Sequence, residues 1–207
     1  MKNFFPTDLS KINLGCGGRK IPGWVNLDIQ KEYCDLGLSV DLTKGIPFQD
    51  DSFLHAVSSH FVEHLSYETT LFCFLKEVHR VLKNGGNLWI ITPDLKKVCE
   101  SYVIDKCERL LLDRTKRNPR YKRKMENPKL YNKIIDGTTP SQHFVNDIFH
   151  QGGEHKNLLD IELLRWIAIK SGFKSVEETS DEILIKSFPE IKSRGDSLQA
   201  LYAVLNK

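Results

Sequence analysis

The chain has 207 residues, 40% of them apolar, with 30 Lys+Arg against 27 Asp+Glu. That length suffices to bury one sizeable core and is short for two ordinary domains, and no run nears the roughly 18 apolar residues that a membrane span requires. Five cysteines (Cys16, Cys34, Cys73, Cys99 and Cys107) include no Cys-x-x-Cys pair. This argues against both a disulfide framework and a thiolate zinc site, and without a signal-peptide core the expected location is the cytoplasm.

In chain order, Lys11-Ile12-Asn13-Leu14 is a short apolar run feeding a tight turn, Gly15-Cys16-Gly17-Gly18, as a buried strand would. Further strand candidates are Trp24 to Leu27, ending at Asp28, Leu38-Ser39-Val40, ending at Asp41, and Ala56-Val57-Ser58, ending near Ser59-His60. From Ser66 to Lys83, apolar residues at Leu71, Phe74, Leu75, Val78, Val81 and Leu82 follow the spacing of one helix face. Ser66 is the predicted N-cap and Asn84-Gly85-Gly86 the predicted stop. Leu88 to Ile91 then reads as a strand covered on both faces, closed by Thr92-Pro93-Asp94. Strands alternating with helices imply a mostly parallel α/β sheet. From Leu95 to about Lys133 the pattern is helical but broken at Asn118-Pro119 and Asn127-Pro128, which predicts an inserted cap. A helix over Asp160 to Ser171 and a closing pair of strands, Phe173 to Val176 and Leu198 to Leu205, complete the reading.

The net charge of +3 is unevenly spread: Lys106 to Lys133 carries +8 and the remainder −5. Within that stretch, Arg114 to Lys124 holds seven basic residues and no acid. An exposed solvated helix, a small-anion site and an RNA contact all fit such a run, although Tyr121 and Tyr131 are the sole aromatics near it.

A glycine turn after a buried strand lets a ligand approach the backbone, and Asp28 ends the next strand on the same sheet edge, where a carboxylate can accept both hydroxyls of a ribose. The dinucleotide pattern needs a third glycine, where Lys20 stands, and an acid about 20 residues on; Asp28 follows Gly17 by eleven. With no room for a phosphate-binding helix before Pro22-Gly23, the spacing favours S-adenosylmethionine (SAM) over NAD.

Several segments occur together in the order of a known family: Ile12 to Gly17, Gly23 to Asp28, Asp41-Leu42, Ile46 to Phe53, His60 to Leu65, and Glu77 to Gly86 leading to Pro93-Asp94. In these the sequence resembles the class I SAM-dependent methyltransferases, and among them the small type 11-like enzymes. The resemblance implies a Rossmann-like fold of mostly parallel sheet with a closing antiparallel strand, spanning residues 1–207 as one domain with a basic helical cap at about 95–155. It also implies that Gly15, Cys16 and Gly17 face the methionine part of SAM, Asp28 the ribose, Asp41 and Leu42 the adenine edge, and Ser59 and His60 the opposite side. The sequence departs from the family at Asn13, where many relatives carry an acid near the cofactor's ammonium group, and at Leu54-His55, which replaces a common Asp.

The activity the resemblance implies is in-line methyl transfer to a small-molecule or sugar-type acceptor. Positioning supplies much of the rate because the sulfonium already activates the methyl group. His143, His150 and His155 are candidate bases, since they follow the cap and precede the last helix, and Gly152-Gly153 beside them would suit a movable loop. Their spacing matches no common zinc pattern, so no metal is expected. Glu63-His64, just before a helix start, reads more readily as fixing a loop than as a catalytic pair. The alternatives are a nucleic-acid methyltransferase using the basic cap and a non-catalytic SAM-binding partner subunit.

Overall fold

A computed structural model of the chain describes residues 10–37, 39–127, 134, 136 and 138–207. Six strands form one sheet in the order β2-β1-β3-β4-β6-β5: β1 Lys11–Leu14, β2 Val25–Leu27, β3 Phe53–Ser59, β4 Leu82–Pro93, β5 Ser175–Glu178 and β6 Ala200–Asn206. The first four strands run parallel, and β6 is antiparallel to both β4 and β5. The predicted mostly parallel sheet with its closing antiparallel strand is therefore present.

Alternation along each strand sorts the apolar residues onto two faces. Ile12, Leu14, Ala56, Leu88, Ile90, Leu201, Ala203 and Leu205 belong to the larger core. There they meet α1 (Phe72–Val81), through Phe74, Leu75 and Val78, and α6 (Ile161–Lys170), through Leu164 and Ile167. Val57, Trp89, Ile91 and Tyr202 face the other way, onto Leu184 of a short helix that the sequence reading missed, Asp181–Ser187, and onto Phe188 just beyond it. Ser180 caps that helix by accepting from the Ile183 amide. It falls within the long connection between β5 and β6, where its single buried residue, Leu184, leaves almost no periodic stripe to detect.

Three local expectations are corrected. Ser39 and Val40 form no strand; the Val40 amide donates to the Asp28 carbonyl and the Ser39 hydroxyl to that of Ile29, without a ladder, and Leu38 lies outside the described residues. The helix predicted from Ser66 begins as a wide π-turn, Tyr67–Leu71, with no side-chain cap from Ser66, and becomes α-helical only at Phe72. It ends at Val81, not Lys83, because Leu82 is already extended and starts β4 ahead of the predicted stop. Next to it, Arg80 donates to the carbonyls of Ile46 and Phe48 and to both oxygens of Glu77, while Glu77 accepts the Ile46 amide. This network staples loop 46–50 to α1.

Between β4 and α6 lie α2 Leu95–Asp105, α3 Glu108–Arg117, α4 Pro119–Glu126 and α5 His143–Phe149. The break at Asn118-Pro119 separates α3 from α4 as the sequence indicates, whereas Pro128, Tyr131 and Lys133 lie outside the described residues. Val98, Cys107, Leu110, Phe144 and Ile148 give these helices a small core of their own. The two ends of the insertion meet: Asp94 and Leu159 form a parallel bridge, and the Leu95 amide donates to the Leu159 carbonyl. No helix among the described residues is long and apolar enough to cross a membrane.

Candidate functional site

The C-terminal edge of the parallel strands carries two adjoining structures. The first is the glycine turn. Gly15 and Gly17 take φ of +69° and +50°, the left-handed region that side chains other than glycine resist. A Cβ on Gly15 would stand 2.4 Å from the Phe61 ring, whereas nothing lies within 4 Å of one on Gly17. The amides of Gly15 and Cys16 both donate to the Leu27 carbonyl, folding the turn over the end of β2.

Asp28, buried at 7% exposure, accepts the Gly17 amide on one carboxylate oxygen and the Gln30 amide on the other, each at 2.8 Å. Each oxygen keeps a second lone pair for a ligand hydroxyl. This donor chemistry fits a ribose: an oriented acid at the strand end beside backbone with no Cβ in the way. Asp41 turns back on its own loop, accepting the Thr43 amide and hydroxyl, and the Leu42 side chain is buried in the main core. The Cys16 thiol donates to the Tyr33 carbonyl, and burial with the nearby Asp28 pushes its pKa up to about 12, so it stays protonated.

Asn13 and Asn26 are register neighbours on the second face. The Asn13 amide donates to Asn26 Oδ1 and to the Arg19 carbonyl, and Asn26 accepts the Ile21 amide. Asn13 therefore holds loop 19–21, a task an acid could not perform because it has no N–H to donate. Beneath this loop is a cavity of about 500 Å³ that reaches Cys16, Asn13 and Ser59.

The second structure is a polar cavity of about 480 Å³ past the ends of β3 and β4, roofed by the helical insertion. His60, at its floor, has φ +53°, and both its ring nitrogens are engaged: Nδ1 with Glu63 at 3.1 Å and Nε2 with Asp196 at 2.8 Å. Burial opposes a charge on this imidazole, but the two carboxylates outweigh it and hold its pKa above the ordinary value. Burial likewise works against the charge on Asp196, and is overcome by His60, the Tyr202 hydroxyl at 2.6 Å and Arg194, which keep the carboxyl far below its usual range. Four arginines, Arg19, Arg114, Arg117 and Arg194, line the same space. Arg114 pairs with Asp147, Arg117 with Asp113 and Arg194 with Asp196, while Arg19 ion-pairs with no acid among the described residues. Gln199, 7% exposed, has a buried Oε1 with no partner at this cavity's wall.

The three candidate histidines part company. His155 lines the cavity at 8% exposure, with Nδ1 on the Ile148 carbonyl, and burial holds its pKa below the ordinary value. His143 sits inside the insertion with both ring nitrogens buried and without a hydrogen-bond partner, and His150 is exposed; neither lines either of these two cavities. The solvated-helix reading of Arg114 to Lys124 also needs correction: Arg114 and Arg117 turn inward, with Arg114 over the rings of Tyr121 and Phe144, while Lys116, Lys122 and Arg123 are exposed. Sequence reasoning missed Arg19, Arg194, Asp196 and Gln199. No motif marks them, and they come from segments that meet only in three dimensions.

Residues 12–90 match the family model for the methyltransferase domain. No curated protein matches the sequence. Among solved structures, a SAM-dependent methyltransferase of Thermotoga maritima, described as a possible histamine N-methyltransferase, is 14% identical, with 100% of this chain and 85% of that one covered at a TM-score of 0.52. One from Mesorhizobium loti is 18% identical over 98% and 94%, TM-score 0.51. Another, from Methanosarcina mazei, is 17% identical over 99% and 95%, TM-score 0.52. At these identities the likeness is one of fold. Residues 12–90 thus match a methyltransferase domain, and the fold is one shared with SAM-dependent methyltransferases.

Proposed function

We propose that the chain methylates a small, negatively charged molecule held in the arginine-lined cavity, with residues 95–155 serving as the cap that closes it. The observation that carries this reading is the convergence of Arg19, Arg114, Arg117 and Arg194 on a space of about 480 Å³ directly beside the glycine turn. Guanidinium groups present paired donors that match carboxylate and phosphate oxygens, and a space of that size suits a sugar acid or phosphate ester.

In this reading SAM lies over Gly15 and Gly17 with its ribose on Asp28, and when bound it supplies a methyl group that needs no further activation. The chain's own residues bind, orient and exclude water. The Asp28 carboxylate, fixed by two amides, sets the ribose; Ser59, which ends β3, and His60, which follows it, stand between the two structures; Arg19, on the loop between them, is free to close on the acceptor's charge. His60 is a positioning residue, since both its nitrogens are committed. Of the histidines proposed as bases, His155 alone offers a ring nitrogen to the cavity.

The test is transfer from methyl-labelled SAM to panels of small carboxylates, phosphates and sugars, run beside RNA. Label should enter a small anion. Arg117→Ala should raise its KM with S-adenosylhomocysteine affinity unchanged, and Lys122→Ser with Arg123→Ser should alter neither. Label entering RNA, with the exposed pair required, would replace this proposal by the nucleic-acid reading.

A further inference from the structure

The turn Val62–His64 and the segment 154–157 are sewn together. The Glu63 carbonyl accepts the amides of Lys156 and Asn157, the Asn157 side-chain amide donates to the carbonyls of Val62 and Leu65, and His64 Nδ1 donates to the Glu154 carbonyl at 3.1 Å. These bonds bring Glu63, His64 and His155 to one corner of the cavity, with a ligand atom of each within 4.8 Å of the others. Two of the three side chains are buried, Glu63 at 1% exposure and His155 at 8%.

We propose that Glu63, His64 and His155 form a binding site for a divalent transition-metal ion at the floor of this cavity. Tautomer and geometry support it. A carbonyl oxygen can only accept, so Nδ1 of His64, on Glu154, and Nδ1 of His155, on Ile148, must both carry the proton. Each ring is left with a bare Nε2 lone pair. An imidazole whose other nitrogen donates to a backbone carbonyl is the usual arrangement of a metal-bound histidine, since that bond fixes ring and tautomer. The rings stand edge to face with centroids 4.9 Å apart, and neither is hydrogen-bonded to Glu63.

Glu63 is oriented as a ligand would be, with His60 on one oxygen and the Thr92 hydroxyl on the other, and it retains lone pairs on both. Two imidazoles and a carboxylate, at bond lengths of about 2.0–2.2 Å, suit Zn²⁺ and its neighbours and leave positions open toward the cavity. Arg114, Arg117 and Arg194 are each paired with an aspartate, which lessens their repulsion of a cation. On the acceptor reading above, the open positions would take an oxygen of the anion. The ion site itself does not depend on that reading.

Zn²⁺ alone is titrated calorimetrically into the full chain, stripped with a chelator and carrying Cys73→Ala and Cys99→Ala to remove the two exposed thiols. Co²⁺ is followed by its visible absorption. One ion per chain is expected, with a rise in melting temperature. His155→Gln should weaken binding by roughly 100-fold or more, beyond the 10–100-fold that loss of a supporting residue produces. Because His155 is buried, His64→Ala, on the more accessible ring, is the second variant and should show the same loss with its metal-free melting temperature near the parent's. Absence of Zn²⁺ binding, or binding that survives both substitutions, overturns the site. With neither SAM nor acceptor present, such a result removes the ion and leaves the acceptor proposal standing.

Discussion

The glycine turn and the capped cavity lie side by side on one sheet edge but are assembled in opposite ways. The first draws on residues 13–28, where strand, turn and strand follow one another, and its bonds run between near neighbours such as Gly17 and Asp28. The second gathers residues 60–64, 114–119, 148–155 and 194–199, and its bonds span long stretches, as between His60 and Asp196, 136 residues apart. A site built locally is fixed as soon as its strands pair. One built from distant segments depends on the insertion and on the β5–β6 connection being in place, so the two regions should respond differently to substitution.

Gly15→Ala should have the largest effect on the local site. It forces a Cβ to within 2.4 Å of Phe61 at a positive φ. We expect a loss of about 2–4 kcal/mol in urea denaturation, from overpacking together with left-handed strain. Gly17→Ala meets no neighbour and should lose only about 1–2 kcal/mol; equal losses for the pair would show that Phe61 yields and that the turn is less rigid than described. Asp28→Ala comes next, with a weakening of S-adenosylhomocysteine binding by about 1.5–3 kcal/mol, the range for hydrogen bonds to a charged group. Because Asp28 also holds the Gly17 and Gln30 amides, some folding stability should go with it. Unchanged affinity by calorimetry would remove Asp28 from the site.

The smallest effect concerns the link between the regions. Glu190, on the segment that leads to Arg194 and Asp196, accepts from Lys11 and from the Trp24 indole at 2.7 Å each. The Lys11 ammonium lowers its carboxyl to about 2 from an unfolded value near 4.5. A depressed carboxylate stabilises the fold above its unfolded pKa and loses that contribution as pH falls through the folded one. The melting temperature should therefore drop between about pH 4.5 and 2, and Glu190→Gln should flatten that part of the profile while lowering stability at neutral pH. An unaltered acid limb in the variant would mean that the segment is not held through Glu190.

The sheet was legible because its signals are local: the continuous apolar run of β4 and the stripe of α1 are written in consecutive residues. The glycine turn and Asp28 were legible for the same reason. Asp181–Ser187 was not, since a helix with one buried residue has no stripe to read. Nor was the inward turn of Arg114 and Arg117, because a basic run looks alike whether its guanidinium groups meet water or Asp147 and Asp113. Glu63 and His64 stood out as a pair, but that His155 would join them follows only from backbone bonds about ninety residues apart in the chain.

The bridge between Asp94 and Leu159 has a consequence for how such a chain can change. The insertion leaves and rejoins the frame at a single point, so what lies between, apart from the stretch 154–157 bound to the turn after β3, is a cassette whose length can vary without disturbing the register of any strand. The glycine turn has no such freedom, since the amides of Gly15 and Cys16 are bound to the Leu27 carbonyl and that of Gly17 to the Asp28 carboxylate. On the proposed function, exchanging the cassette would alter which acceptor is taken while the means of holding the methyl donor stayed as it was.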